Sequence, residues 1–176
     1  MDNIHHIFIG FDHRQPISFT VLAHSIVGKA TKPVAITPIV LQTVPIKRVG
    51  LTPFTFSRFL VPWMCNYRGR ALFLDADIVL RDDITQIWES TKDDDKALWV
   101  VKHEGKLEFE RPAVMLFNCE HPDNSILTPE YIEKADGLHK LKWLKSELIG
   151  DLDPAWNFLE HYQDPPLNRR QVKLVH

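Results

Sequence analysis

The run Ala-Leu-Phe-Leu at positions 71–74, followed at once by Asp75-Ala76-Asp77, restricts this chain more than any other stretch. Four apolar residues without a turn former read as a buried strand. Two carboxylates follow where such a strand ends. Residues i and i+2 of a strand point the same way, so Asp75 and Asp77 are expected to enter one small volume, with Ala76 facing away or leaving room. Two like charges held together are costly unless a cation sits between them. A hard divalent ion with oxygen ligands, Mn2+ or Mg2+, meets that need and can also neutralise a diphosphate. The triplet by itself is weak evidence. Fourteen Asp in 176 residues produce about one Asp-x-Asp by chance, and the chain has three, at 75/77, 93/95 and 151/153. Two solvated acids in a loop is the competing reading, and the apolar lead-in speaks against it.

The rest of the chain alternates strand-like and helix-like segments. Residues 4–12 are a short apolar run ending at Gly10. Pro16 suits a first helical turn, and Phe19, Leu22, Ala23, Ile26 and Val27 recur at helical spacing. Residues 34–41 are a second strand, where Pro38 suggests a sheet edge or a strand end. Residues 52–67 are helical, with Pro62 kinking the helix or starting it late. After the Asp-x-Asp come a short helix or turn (83–90), strands at 97–103 and 112–119, and a short helix after Thr128-Pro129 that ends before Gly137. A second helix is expected over 138–150, then a loop over the tail leading to a short final strand. Such alternation predicts an α/β layered fold, in which ligands sit at the C-terminal ends of strands.

Composition narrows the function classes. A length of 176 residues suits a single domain spanning 1–176. A formal net charge of −2 gives no general pull toward nucleic acid or anionic membrane. No apolar run is long enough to span a bilayer, and the N-terminus lacks the basic flank and small-residue cleavage site of a signal peptide. Cys65 and Cys119 read as reduced thiols among apolar residues rather than a metal pair. Together these features predict a cytoplasmic protein without a transmembrane segment.

Residues 7–26, 54–88, 114–122 and 148–158, with Lys-Leu-Val-His at 173–176, resemble the glycogenin-like glycosyltransferases of family eight and their bacterial and phage relatives. The helix–strand–Asp-x-Asp stretch is the most specific part. The resemblance implies a GT-A-like fold, with a central mixed, mostly parallel sheet flanked by helices. It implies a retaining hexosyltransferase that takes a nucleotide sugar, with a UDP-sugar as default donor and Mn2+ (or Mg2+) bridging the diphosphate. The acceptor class, whether glycan, lipid-linked sugar or protein, stays open, as does the oligomeric state. Carried over by position, Asp75, Asp77 and His176 would be metal ligands. Gly10, Phe11 and Asp12, with Arg14 and Ala76, would lie against the nucleotide. Arg58 would meet the nucleotide or sugar, and Glu147 would stand close to the donor sugar. Simpler roles compete: Asp12 suits a helix cap, Arg58 a surface ion pair, Glu147 a solvated face, and His176 a frayed terminal residue.

Two departures bear on activity. Between His103 and Pro112 only eight residues stand where the relatives carry a longer segment on the acceptor side. The sequence also stops at His176, where the family continues into a Lys-Pro-Trp segment that grips the diphosphate. Nucleotide-sugar binding is therefore a safer expectation than efficient transfer, and a non-catalytic binding domain is the main alternative. A haloacid-dehalogenase-like phosphatase, with Asp75 as nucleophile, is a more distant one.

Overall fold

The computed structural model describes residues 4–163 and 171–176. The part of the expected tail loop at 164–170 lies outside the described residues. Strand β1 (His5–Gly10) leads through residues 11–15 into helix α1 (Pro16–Val27), whose first turn begins with the proline. Strand β2 (Val34–Ile39) runs parallel to β1 and takes the sheet edge, which tolerates Pro38 because no strand needs its missing N–H. The expected helix over 52–67 forms in pieces: α2 (Phe54–Ser57), a 3-10 turn (Arg58–Leu60) and α3 (Val61–Met64), which starts at the residue before Pro62.

Strand β3 (Arg70–Leu74) lies beside β1 in parallel, and Ala71 to Leu74 are fully buried. A two-residue strand β4 (Val79–Leu80) and helix α4 (Gln86–Ser90) come next. The rest of the sheet is β5 (Leu98–Val100), β6 (Val114–Asn118) and β7 (Ile149–Asp151). The six-stranded order is β2-β1-β3-β6-β5-β7. Only β6 runs against its neighbours, so the sheet is mixed and mostly parallel, as expected. A second, two-stranded sheet pairs β4 with β8 (Leu174–Val175). Helix α5 (Pro129–Lys134) starts at Thr128, whose side chain accepts from the Tyr131 N–H. Among the described residues, no helix is long and apolar enough to cross a membrane.

The second helix expected over 138–150 does not form. Gly137 and Leu141 both adopt left-handed backbone angles, at φ 74° and 55°, which no α-helix accommodates. Leu138, Leu141 and Leu144 are buried through 3-10 and irregular turns instead, and residues 149–151 join the sheet. The helical-looking spacing of apolar residues reflects that burial and not a helix.

The C-terminal ends of β1 and β3 point to the same edge of the sheet, and there the chain is packed to its limit. A Cβ built on Gly10 would stand 2.4 Å from the Phe54 ring. The ring therefore closes over the end of β1, and any side chain at position 10 would push α2 away from the edge. We expect Gly10→Ala to destabilise the protein by about 1–3 kcal/mol in urea unfolding. Adding Phe54→Leu should restore part of that loss, because the two sites share one clash.

Candidate functional site

Four segments converge at this edge: the loop after β1, the turn after β3, the 3-10 segment Gly105–Ala113 before β6, and the end of β8. Strand β3 ends at Leu74, and residues 75–78 form a turn. The Asp75 N–H adds one more ladder bond, donating to the Ala113 carbonyl at 2.9 Å. Asp75 and Asp77 thus meet through a turn, and the strand alternation expected from sequence is not what aligns them. Asp75 is buried, while Asp77 faces solvent.

Strand β4, directly after this turn, carries His176 to it. Val79 and Leu80 pair antiparallel with Val175 and Leu174, so the next step along the ladder sets His176 beside the Asp77 turn. The last residue is tied down on both sides of its backbone. Its N–H donates to Phe158 O at 2.8 Å, and its carbonyl accepts from Glu160 N at 3.0 Å. His176 Nε2 stands 3.5 Å from Asp77 Oδ1. One ligand atom each from Asp75, Asp77 and His176 fall within 4.8 Å of one another.

Arg58 holds the inner wall. It is buried, so the reading of a surface ion pair fails. Its Nε donates to Phe54 O at 3.2 Å. Its Nη1 reaches Asp75 Oδ2 at 3.1 Å and Pro112 O at 3.0 Å. Burial pushes the Asp75 carboxyl up to about 6, against the opposing pull of the Arg58 charge. Asp75 Oδ1 lies 3.0 Å from Arg58 Nη1, yet it is buried without a hydrogen bond of acceptable geometry.

The other acids respond to their neighbours. Asp12 is buried and bound by Arg14 through the main-chain N–H and a forked side-chain contact, closest at 2.6 Å. Chiefly through that side-chain bond, Arg14 lowers the Asp12 carboxyl to about 2. Helix α1 begins without a side-chain cap, so Asp12 serves the loop and not the helix end. The Asp77 carboxyl is lowered, foremost by the hydrogen bond with His176. Burial favours the neutral His176 ring, but Asp77, Asp75 and Glu110 outweigh it and raise its pKa.

Asp12, Arg14, Ala76 and Asp77 line a cleft of about 250 Å³, together with Ser18, Thr52 and Phe54. Ala76 is thus at the cleft wall, where its small side chain leaves room. Phe11 packs edge-on against Phe19 at 5.8 Å, and Gly10 supports the cleft from behind by admitting Phe54. Glu147 is not brought here. It is exposed in the turn before β7, whose start is level with Ala71 across the sheet, at the edge opposite Asp75. The acid that does reach the cluster is Glu110, with Oε2 3.7 Å from His176 Nδ1 and a carboxyl raised by burial. No spacing in the sequence marks Glu110, because an irregular 3-10 segment delivers it. The buried Asn157 also reaches the cluster, in the Trp-Asn pair at 156–157.

Comparisons with known proteins bear on the family and the fold. Residues 41–158 match the profile of glycosyl transferase family 8. Protein CDI of Arabidopsis thaliana is 34% identical over 202 aligned residues, covering 97% of this chain and 76% of that protein. The WbbM bifunctional glycosyltransferase superposes with a TM-score of 0.72 at 14% identity; all of this chain is covered, but only 46% of WbbM. The galactosyltransferase LgtC, solved with donor and acceptor sugar analogues, gives 0.61 at 16% identity, covering 97% of this chain and 86% of that one. At such identities the structural likeness speaks to fold alone, and the fold is GT-A. The sequence match settles the family, and the chain belongs to glycosyl transferase family 8. The phosphatase alternative is left without support.

The Arg58–Asp75 pair yields a stability prediction. Removing one partner of a buried ion pair costs about 3–5 kcal/mol, and Arg58→Met should show a loss of that size in denaturant unfolding near neutral pH. The folded Asp75 carboxyl titrates at about 6 against 3.8 in an ordinary setting. Its protonated form is therefore the one that favours folding. That contribution is fully present below 3.8 and is lost as pH rises through about 6. The deficit of Arg58→Met should accordingly be larger at alkaline than at mildly acidic pH.

Proposed function

We propose that this member of glycosyl transferase family 8 moves a sugar from a nucleotide-sugar donor, a UDP-sugar by default, to an acceptor through a site that holds a divalent cation. The observation that carries the reading is the Asp75–Asp77–His176 cluster at the C-terminal end of β3, with its buried and unpartnered Asp75 Oδ1. Two carboxylate oxygens and one imidazole nitrogen suit Mn2+, and with fewer nitrogens Mg2+. A bound cation would supply charge neutralisation for the departing nucleoside diphosphate. It would also offset the mutual repulsion of Asp75, Asp77 and the neighbouring Glu110.

The chain's own residues do the rest. The cleft beside the cluster lies between the loop after β1 and the Asp-x-Asp turn, which suits a nucleoside whose diphosphate points at Asp77. Asp12, kept ionised by Arg14, offers a carboxylate to ribose or base hydroxyl and amino groups. Arg58 fixes Asp75 from behind the site. Hexosyl transfer with retention of configuration, and a cytoplasmic setting, extend the family resemblance and the composition.

The test is a melting-temperature panel of UDP and other nucleoside diphosphates with and without Mn2+. A ligand that binds only the native state at a hundred times its Kd stabilises by about 2.7 kcal/mol. UDP should approach that shift with Mn2+ and lose most of it without. Asp77→Ala should remove the metal-dependent part, and should lower UDP release from a UDP-sugar by about two orders of magnitude or more. A UDP response indifferent to Mn2+ would sink the reading. Protons compete with the cation for Asp75, which titrates at about 6, and for the raised His176. Mn2+ affinity should therefore be full at mildly alkaline pH and fall as pH drops through about 6.

A further inference from the structure

Behind His176 a polar chain runs from the Glu110 backbone carbonyl through the buried Asn157 amide to the ring, and its direction is fixed at one end. Glu110 contributes its backbone carbonyl, which can only accept. Asn157 Nδ2 donates to it at 3.1 Å. That bond settles which way the Asn157 amide points, because the opposite orientation would set two acceptors against each other. Asn157 Oδ1 is then the atom facing His176 Nδ1, at 3.1 Å. A carbonyl oxygen accepts, so Nδ1 must carry a proton. The second group near Nδ1, the Glu110 carboxylate at 3.7 Å, asks for the same proton. Nε2 also faces an acceptor, Asp77 Oδ1, but at 3.5 Å; in the neutral ring the closer 3.1 Å bond to the buried Asn157 keeps the proton on Nδ1 and leaves the lone pair on Nε2. Asn157 is fully buried, and the ring's own backbone is bonded to Phe158 one residue away, so ring and amide share one rigid segment.

We infer that Asn157 is a positioning residue: it holds the neutral His176 as the Nδ1-protonated tautomer and aims Nε2 at the Asp75–Asp77 corner. Outer partners of this kind orient metal-binding histidines, and losing one commonly costs 10–100-fold in metal affinity. The sequence pattern places the role at Asn157 and not at a neighbour. Trp156 fills the core, and Phe158 supplies the backbone carbonyl that accepts from the His176 N–H. The inference rests on the cation-site reading for its purpose, but the tautomer is a property of the protein without metal and can be measured there.

The experiment has two arms. Long-range proton–nitrogen correlation spectra of metal-free protein with labelled histidines are recorded at a pH where the ring is neutral, and His176 is assigned by the signal missing in His176→Gln. The native chain should show the proton on Nδ1. A native ring protonated on Nε2 overturns the inference, with no variant required. In the second arm, Mn2+ is titrated in the presence of UDP against the native chain, Asn157→Ala and Asn157→Asp. Asn157→Ala should bind Mn2+ about tenfold more weakly or worse and lose the pure Nδ1-protonated tautomer. Asn157→Asp loses the donor to the Glu110 carbonyl but retains an acceptor oxygen for Nδ1, and should recover the tautomer and part of the affinity. Alanine and native proteins alike in tautomer and affinity contradict a positioning role. If Asn157→Ala does not fold, as circular dichroism would show, Asn157→Asp against Asn157→Ser decides the same point. Native protein that fails to bind Mn2+ at all overturns the cation-site reading, and the first arm still decides the tautomer.

Discussion

The buried ion pair between Arg58 and Asp75 is the contact on which the site edge depends. One guanidinium group bonds to the carbonyl of Phe54 in α2, the carboxylate after β3 and the carbonyl of Pro112 before β6. Three chain segments far apart in sequence are fixed by a single side chain. A lysine could not do this, since a planar fork reaching several acceptors is specific to arginine. Burial raises the Asp75 carboxyl despite the adjacent Arg58 charge, and the cost of desolvating a buried pair offsets much of its Coulombic gain.

That imbalance makes sense if the site is shaped for something that arrives later. Asp75, Asp77 and Glu110 lie close to one imidazole, and one buried carboxylate oxygen has no hydrogen bond. The surrounding carboxylates raise the His176 pKa and so favour a proton on the ring. A divalent cation would replace that proton and satisfy the orphan oxygen in one step. The arrangement would then trade some resting stability for affinity at the edge proposed to take the donor, a pattern expected where strain and unpaired polar groups collect at functional sites.

Much of this was legible in the sequence, for identifiable reasons. The buried strand 71–74, the edge position of β2 and the broken helix around Pro62 follow from local rules about apolar runs and proline. The nearness of Asp75 and Asp77 was also foreseeable, although a turn and not strand alternation creates it. His176 could be placed only by resemblance, because its approach depends on the pairing of β4 with β8 across 95 residues of chain, Leu80 with Leu174 among them. Glu147 was misplaced for the opposite reason: positional analogy ignored where β7 enters the sheet. Glu110 was illegible as a site residue because an irregular 3-10 segment delivers it, and Asn157 because its amide meets His176 only once the last strand lies alongside it.

The central claim is that Asp75, Asp77 and His176 jointly hold one divalent cation against a nucleoside diphosphate. The most direct measurement is an anomalous-difference map at the manganese absorption edge, from crystals grown with Mn2+ and UDP. The account predicts one strong peak coordinated by Asp75, Asp77 and His176, with phosphate oxygens completing its shell and the nucleoside in the cleft beside Ala76. A peak elsewhere, or UDP bound in the cleft with no metal between its phosphates and these three residues, would contradict it.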